Sequence, residues 1–189
     1  MIKIEPAKKE QAEEIARLVM VAMSNECCQW FAGPHHTLED FHRLMTRLVE
    51  REDSQYSYVN TLVAVDGEKV VGICSSYDGG QLIPLRRAFI EGAWEAFGID
   101  YSHFDEETQA GELYLDSLAV LPEYRQQGIA SLLIEATKGK GKAMGLPVGL
   151  LVDKGNPNAE QLYRSLGFEF ANDSNWGGHD MRHLQYIEH

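Results

Sequence analysis

Basic side chains are scarce: 17 lysines and arginines stand against 29 aspartates and glutamates in 189 residues, a formal net charge of −12. Such a chain repels phosphodiester backbones and anionic bilayers, so neither nucleic acid nor membrane is an expected partner. Long apolar runs are also missing. No stretch approaches the roughly 18 consecutive apolar residues of a membrane helix, and the opening MIKIEPAKKEQAEEI has no apolar core of a secretory leader. Cysteine is rare. Cys27, Cys28 and Cys74, an odd count with two adjacent, make a poor disulfide framework. They read as reduced thiols of a cytoplasmic protein, packed as small core residues. No repeat, low-complexity tract or Pro/Ser-rich linker divides the chain, so one domain over residues 1–189 is expected.

Two phosphate-binding signatures are lacking as well. No G-x-G-x-x-G follows a strand, which excludes a dinucleotide site of that kind. The tract KGKGKAMG at 138–145 has phosphate-loop composition, but Ala143 stands where a magnesium-binding hydroxyl is needed. It reads instead as the frayed, lysine-bearing end of a helix.

What is present alternates between helix and strand. Residues 2–5 form a short first strand. Ile15, Leu18, Val19 and Ala22 repeat at helical spacing, and Thr37 with Asp40 opens a second helix carrying Phe41, Leu44, Met45 and Leu48. TLVAV and KVVGICSSY flank Asp66-Gly67 and predict a hairpin. Pro84 to Phe97 is helical, with Phe89, Ala93, Trp94 and Phe97 on one side, and the acidic segment 98–110 is loop. Leu113 to Val120 is a strand, apolar apart from Asp116 and Ser117 and ended by Pro122. Gly128 to Met144 is a helix with Ile129, Leu132, Leu133 and Ala136 at core spacing. A strand at 148–152, a helix from Asn158 to Leu166 ended by Gly167, and strands near 168–171 and 181–187 complete the chain. The order predicts an α/β or α+β fold with a mostly antiparallel sheet.

The most informative stretch is LYLDSLAVLPEYRQQGIASLL, residues 113–133. A buried strand stops at a proline, and a helix opens at Gly128. The first turn of a helix has amides without intrahelical partners and a partial positive charge. Anions bind there without any basic side chain. Gly128 and Ala130 are small enough to let a phosphate reach the backbone. An ordinary glycine at a helix start would give R-x-x-G-x-A equally well; the buried strand before it and the amphipathic helix after it add the weight. Downstream, NPNAEQLYRSLGFEF, residues 156–170, forms a small amphipathic helix with Tyr163 on its apolar side.

Together, LAVLPEYRQQGIASLL and N-x-x-A-x-x-L-Y-x-x-L-G-F resemble the two acetyl-CoA motifs of the GNAT superfamily of N-acyltransferases. The resemblance covers about residues 113–170. It implies a mixed, mostly antiparallel central sheet flanked by helices, with strands 113–120 and 148–152 splayed to admit the pantetheine arm of acetyl-CoA. The backbone of Leu118 and Val120 would pair with that arm. Arg125 would stand at the entry, and amides of Gln126, Gln127, Gly128, Ile129, Ala130 and Ser131 would hold the pyrophosphate. Asn156 and Tyr163 would lie beside the pantetheine and sulfur.

An amine attacks a thioester only when neutral, so the site needs a path for one proton and a donor for the departing thiolate. The resemblance gives the donor role to Tyr163. Asp116, the one carboxylate on its strand, is the first candidate base, matching a carboxylate of polyamine acetyltransferases, and Glu112 is the second. Peptide-directed relatives carry glutamate where this chain has Tyr114 or Leu151. The expected reaction is direct acetyl transfer to the primary amine of a small molecule or peptide, a cationic one given the acidic excess. A non-catalytic acyl-CoA sensor or scaffold of the same fold is the alternative. No metal is expected: His179 and His183 are four apart on a predicted strand without a third ligand. Residues 78–110 form an unusually long, helical insertion between the hairpin and the cofactor strand, suited to shaping the acceptor pocket or a homodimer contact.

Overall fold

The computed structural model describes residues 1–188. Among them, seven strands form one sheet in the order β1-β2-β3-β4-β5-β7-β6. These are β1 Ile2–Pro6, β2 Thr61–Asp66, β3 Lys69–Asp78, β4 Leu113–Val120, β5 Val148–Asp153, β6 Glu169–Trp176 and β7 His179–Tyr186. All neighbours run antiparallel except β4 and β5. The helices are α1 Ala12–Met23, α2 Asn25–Ala32, α3 Leu38–Glu50, α4 Leu82–Phe97, α5 Ile129–Met144 and α6 Pro157–Ser165. The mixed sheet flanked by helices is the predicted architecture. No described helix is long and apolar enough to cross a membrane.

The pleat sorts side chains into two cores. On β2, Val63 and Val65 join α1, α2, α3 and α4 on one face, while Ala64 joins α5 and the residues under α6 on the other. Central strand β3 is buried from Val70 to Tyr77 because helices cover both its faces.

Helix α2 departs from the expected course between the first two helices. Ser24 takes a positive φ of 79°, which breaks the chain direction after α1, and its Oγ accepts the Cys27 amide at 3.2 Å to start α2. The thiols therefore belong to a helix: Cys28 is buried and Cys27 half-buried. Two residues assigned to core stripes lie outside. Trp94 is 60% and Leu132 49% exposed. Helix α5 meets the sheet through Ile129, Leu133, Ile134, Thr137 and Gly141, which turns Leu132 to the flank. Ala22 also leaves the core for the rim of a cavity.

The lysine-bearing end of α5 is not frayed. The helix runs to Met144 and closes on Gly145 in the left-handed region. Lys140 points inward, and its Nζ donates to the Ser76 carbonyl at 2.6 Å and Oγ at 3.0 Å. The last two strands are longer than expected and form a hairpin turning at Gly177 and Gly178.

Two irregularities of β4 position the site. Its parallel ladder with β5 comprises only Leu113 with Val148 and Tyr114 with Gly149, after which the strands part. Against β3, the register skips one residue: Ser117 faces Ser75 and Leu115 faces Ser76. Asp116 is thus the extra residue of a β-bulge, a device that re-aims a side chain.

Candidate active site

A groove of about 450 Å³ follows the outer half of β4 to the start of α5. Leu118, Val120, Arg125, Gln126, Gly128, Ile129, Ala130 and Ser131 line it, with Ala159, Leu162 and Tyr163 of α6 opposite. Gln126 and Gly128 both have positive φ, 60° and 79°, so the loop curls tightly before the helix. The amides of residues 126–131 have no hydrogen-bond partner among the described residues, and the first helical bond of α5 is from Leu132 to Gly128. These open donors, with the helix dipole behind them, suit a pyrophosphate. Arg125 is held in place by its Nε, which donates to the Val120 carbonyl at 3.1 Å.

A larger cavity, about 830 Å³, opens on the other side of the β4 bulge. Its walls come from α2, the loop after α4, and the β6–β7 turn. Asp116 lies in its lining beside Glu107. Tyr77 donates to Asp116 Oδ2 at 2.7 Å, Gln55 Nε2 at 3.1 Å, and Ser117 Oγ to Oδ1 at 3.3 Å. The same Gln55 nitrogen reaches Glu107 Oε1 at 3.4 Å. Arg86 pairs with the other Glu107 oxygen and donates to the carbonyls of Phe104 and Asp105. Burial raises the Asp116 pKa above the ordinary carboxylate value, against the pull of its hydrogen bonds. Burial and the Asp116 charge push Glu107 up to about 7, although Arg86 opposes them.

The model of the acetyltransferase (GNAT) family matches residues 20–168. The chain belongs to this family. No curated protein matches the sequence. A crystal structure of an acetyltransferase is similar at 29% identity and a TM-score of 0.82, over 97% of this chain and 98% of the other. An N-acetyltransferase from Staphylococcus aureus Mu50 shares the fold at 22% identity and a TM-score of 0.84, over 97% and 99% of the two chains. So does PaiA N-acetyltransferase from Thermoplasma acidophilum in complex with coenzyme A, at 16% identity and 0.57, over 98% and 99%.

Within this GNAT domain, ten of the thirteen residues singled out from sequence line the two clefts. Tyr163 faces the groove, its ring packed edge-on against Phe168 at 5.8 Å and its hydroxyl without a hydrogen bond among the described residues. Burial raises its pKa, so the phenol stays protonated. The three exceptions are Glu112, Gln127 and Asn156, although the amide of Gln127, the group expected to meet the pyrophosphate, is among the open ones. Gln127 turns its side chain back to the Glu123 carbonyl, and Asn156 caps α6, its Oδ1 accepting the Ala159 amide at 3.2 Å. Neither side chain lines the groove.

Glu112 is placed away from both clefts. Its carboxylate accepts from Thr108 at 2.6 Å, His183 Nε2 at 2.7 Å and Gln185 at 2.9 Å, and it is buried. It ties β4 to β7 across the point where β4 and β5 diverge, which removes it as a candidate base. His179 pairs with Asp153 at 3.1 Å, apart from His183, and no group of three ligands suited to a metal occurs among the described residues. In the sequence, Glu107 is one acid among several in the loop 98–110. Its signal there is a long insertion with two adjacent arginines, of which Arg86 falls on the buried face of the helix.

Proposed function

We propose that the chain is an acetyl-CoA-dependent N-acetyltransferase that acts on a primary amine by direct attack in a ternary complex. The observation that carries this reading is the meeting of the two clefts. Ala22 lines both, and the adjacent β4 residues Ser117 and Leu118 line the cavity and the groove respectively. A thioester carried along the groove and an amine held in the cavity would come together at the bulge. Such positioning can supply much of the acceleration.

The groove residues fit acetyl-CoA. Six open amides suit its pyrophosphate, and the unpaired edge of β4 at Leu118 and Val120 suits its pantetheine amides. The co-substrate supplies an activated acetyl group on sulfur. Asp116 takes a proton from the acceptor nitrogen, and Tyr163 donates to the sulfur as the thiolate leaves. The cavity supports a cationic acceptor: Glu26, Asp105, Glu107, Asp116 and Asp153 line it, and no lysine or arginine does.

Release of free CoA from acetyl-CoA, measured against polyamines, aminoglycosides, amino acids and basic peptides, tests the proposal. Amine-dependent release with an N-acetylated product is the expected result. Binding of acetyl-CoA with no amine-dependent release would leave a non-catalytic acyl-CoA-binding module.

A further inference from the structure

Glu107 is not needed by the reaction as written, yet its placement is costly. It is a buried carboxylate on the insertion between β3 and β4, in the wall of the same cavity as Asp116. A single amide nitrogen, Gln55 Nε2, lies within reach of both carboxylates, at 3.1 and 3.4 Å. One cation, Arg86, serves them, and it pairs directly with Glu107 alone. Two carboxylates against one guanidinium leave a surplus negative charge in a desolvated wall. A buried surplus of that kind is neutralised by a proton or by a bound cation.

We propose that Glu107 and Asp116 act as one proton-sharing pair, in which Glu107 makes Asp116 a strong enough base to deprotonate an incoming alkylammonium. The proposal rests on the acetyltransferase reading above. With the cavity empty, the pair holds one proton. A cationic amine displaces it and supplies the missing positive charge. Asp116 then takes one N–H proton, converting R–NH3⁺ to R–NH2 and its own carboxylate to the acid. The nitrogen lone pair forms the C–N bond as the C–S bond breaks. Sulfur gains the Tyr163 proton, and Tyr163 recovers the second proton of the nitrogen. Asp116 keeps its proton as the product leaves, which restores the one-proton resting pair, and the proton released to water is the one the amine displaced. Ammonium and thioester become amide, thiol and one released proton. In this scheme Glu107 is a positioning residue: it acts through Asp116.

The phenols and the thiol facing the pair do not switch near neutral pH. Tyr56, Tyr77 from β3 and Tyr114 from β4 are each held well above the ordinary phenol value, by burial first and then by the two carboxylates. Cys27 from α2 is raised by burial and by Glu26. Trp176 from β6 also lines the cavity and does not titrate, and its buried Nε1 has no hydrogen-bond partner among the described residues. His103 and His179 also line the cavity, so the variant with both changed to Gln is a necessary control.

Infrared difference spectra, recorded while the enzyme alone is titrated, report the proton without any substrate. A protonated carboxyl band that persists at pH 7 and disappears in both Glu107→Gln and Asp116→Asn is expected. The pH profile of kcat/KM, taken with the fastest acceptor from the amine panel, reports its use. Glu107→Gln should move the acidic limb down by about one pH unit or more, and Arg86→Gln should move it up. The double variant Glu107→Gln/Arg86→Gln removes both members of the buried ion pair and keeps the test valid if either single variant misfolds. No carboxyl band at pH 7, or a band removed by only one variant, would overturn the pair. An unmoved acidic limb, or one abolished by the histidine control, would overturn its role in catalysis. The expected band with no amine-dependent CoA release would instead sink the acetyl-transfer reading, and the catalytic use of the pair with it.

Discussion

Gly149 leaves the space that the Glu112 carboxylate fills. A Cβ built on Gly149 would overlap the Glu112 side chain, and it would do so at the last residue pair where β4 and β5 are bonded. The two residues together fix the point from which the strands splay. Gly149→Ala must push Glu112 off Thr108, His183 and Gln185, leaving buried polar groups unpaired. A loss of about 2–5 kcal/mol is expected, read from urea denaturation. Adding Glu112→Ala to Gly149→Ala should cost less than the sum of the two single changes. Strict additivity would dissociate the glycine from the carboxylate.

The same carboxylate shapes the acid limb of stability. Burial opposes its ionisation, but hydrogen bonds from His183, Thr108 and Gln185 outweigh it and hold Glu112 below its ordinary value. A folded-state pKa below the unfolded one gives stability that is fully present above about 4.5 and is lost as pH falls through the folded value. Glu112→Gln should therefore flatten the decline of stability below pH 4.5. Denaturation midpoints across pH 3 to 7 check this, and an acid limb as steep as that of the parent protein would refute it.

Much of the fold was legible in sequence because periodicity and punctuation agreed. The hairpin at Asp66-Gly67, the strand stopped by Pro122 and the cap of α3 by Thr37 and Asp40 each combine a pattern with a local stop or start signal. Helix α2 had no such agreement: its start depends on Ser24 in a positive-φ conformation that serine seldom adopts, and only eight residues follow. The groove was legible because backbone amides at a helix start need only small residues at fixed spacing. The cavity was not. Glu107 and Arg86 lie 21 residues apart and meet only through the course of the insertion. In sequence, a buried carboxylate of that kind looks the same as the solvated acids around it. Glu112 misled for the opposite reason, since its partner His183 lies 71 residues away.

The anion site rests on backbone, so a change that crowds the backbone should disable it. Nothing lies within 4 Å of a Cβ built on Gly128, but its φ of 79° is strained for other residues, and the first turn of α5 is beside it. Gly128→Glu would add strain, bulk and negative charge where a pyrophosphate is expected. Acetyl-CoA affinity measured by calorimetry should fall at least about 100-fold, or some 2.7 kcal/mol. Gly128→Ala should cost far less affinity. Equal binding by Gly128→Glu and the parent protein would take this loop out of the cofactor site.

Tyr163 is the side chain on which the chemistry of the leaving group turns. Its ring is seated against Phe168, while its hydroxyl has no partner among the described residues and faces the groove. A core tyrosine would use its hydroxyl to satisfy a buried neighbour, and Tyr163→Phe would then lower stability by about 1 kcal/mol. A free hydroxyl predicts otherwise. Phenylalanine keeps the ring and its packing, so the melting temperature should be nearly unchanged. Acetyl-CoA affinity should change little too, because the negative charge reaches sulfur only as the C–S bond breaks. Turnover should fall by about 10- to 1000-fold, the range for one acid–base group with partial rescue by its surroundings. The loss should shrink with a thioester whose thiol is more acidic than that of CoA, since such a leaving group needs less help. Measuring kcat, affinity and melting temperature on one preparation decides the matter: a destabilised Tyr163→Phe protein with the parent kcat would assign the residue to the core and leave the thiolate to be protonated by water.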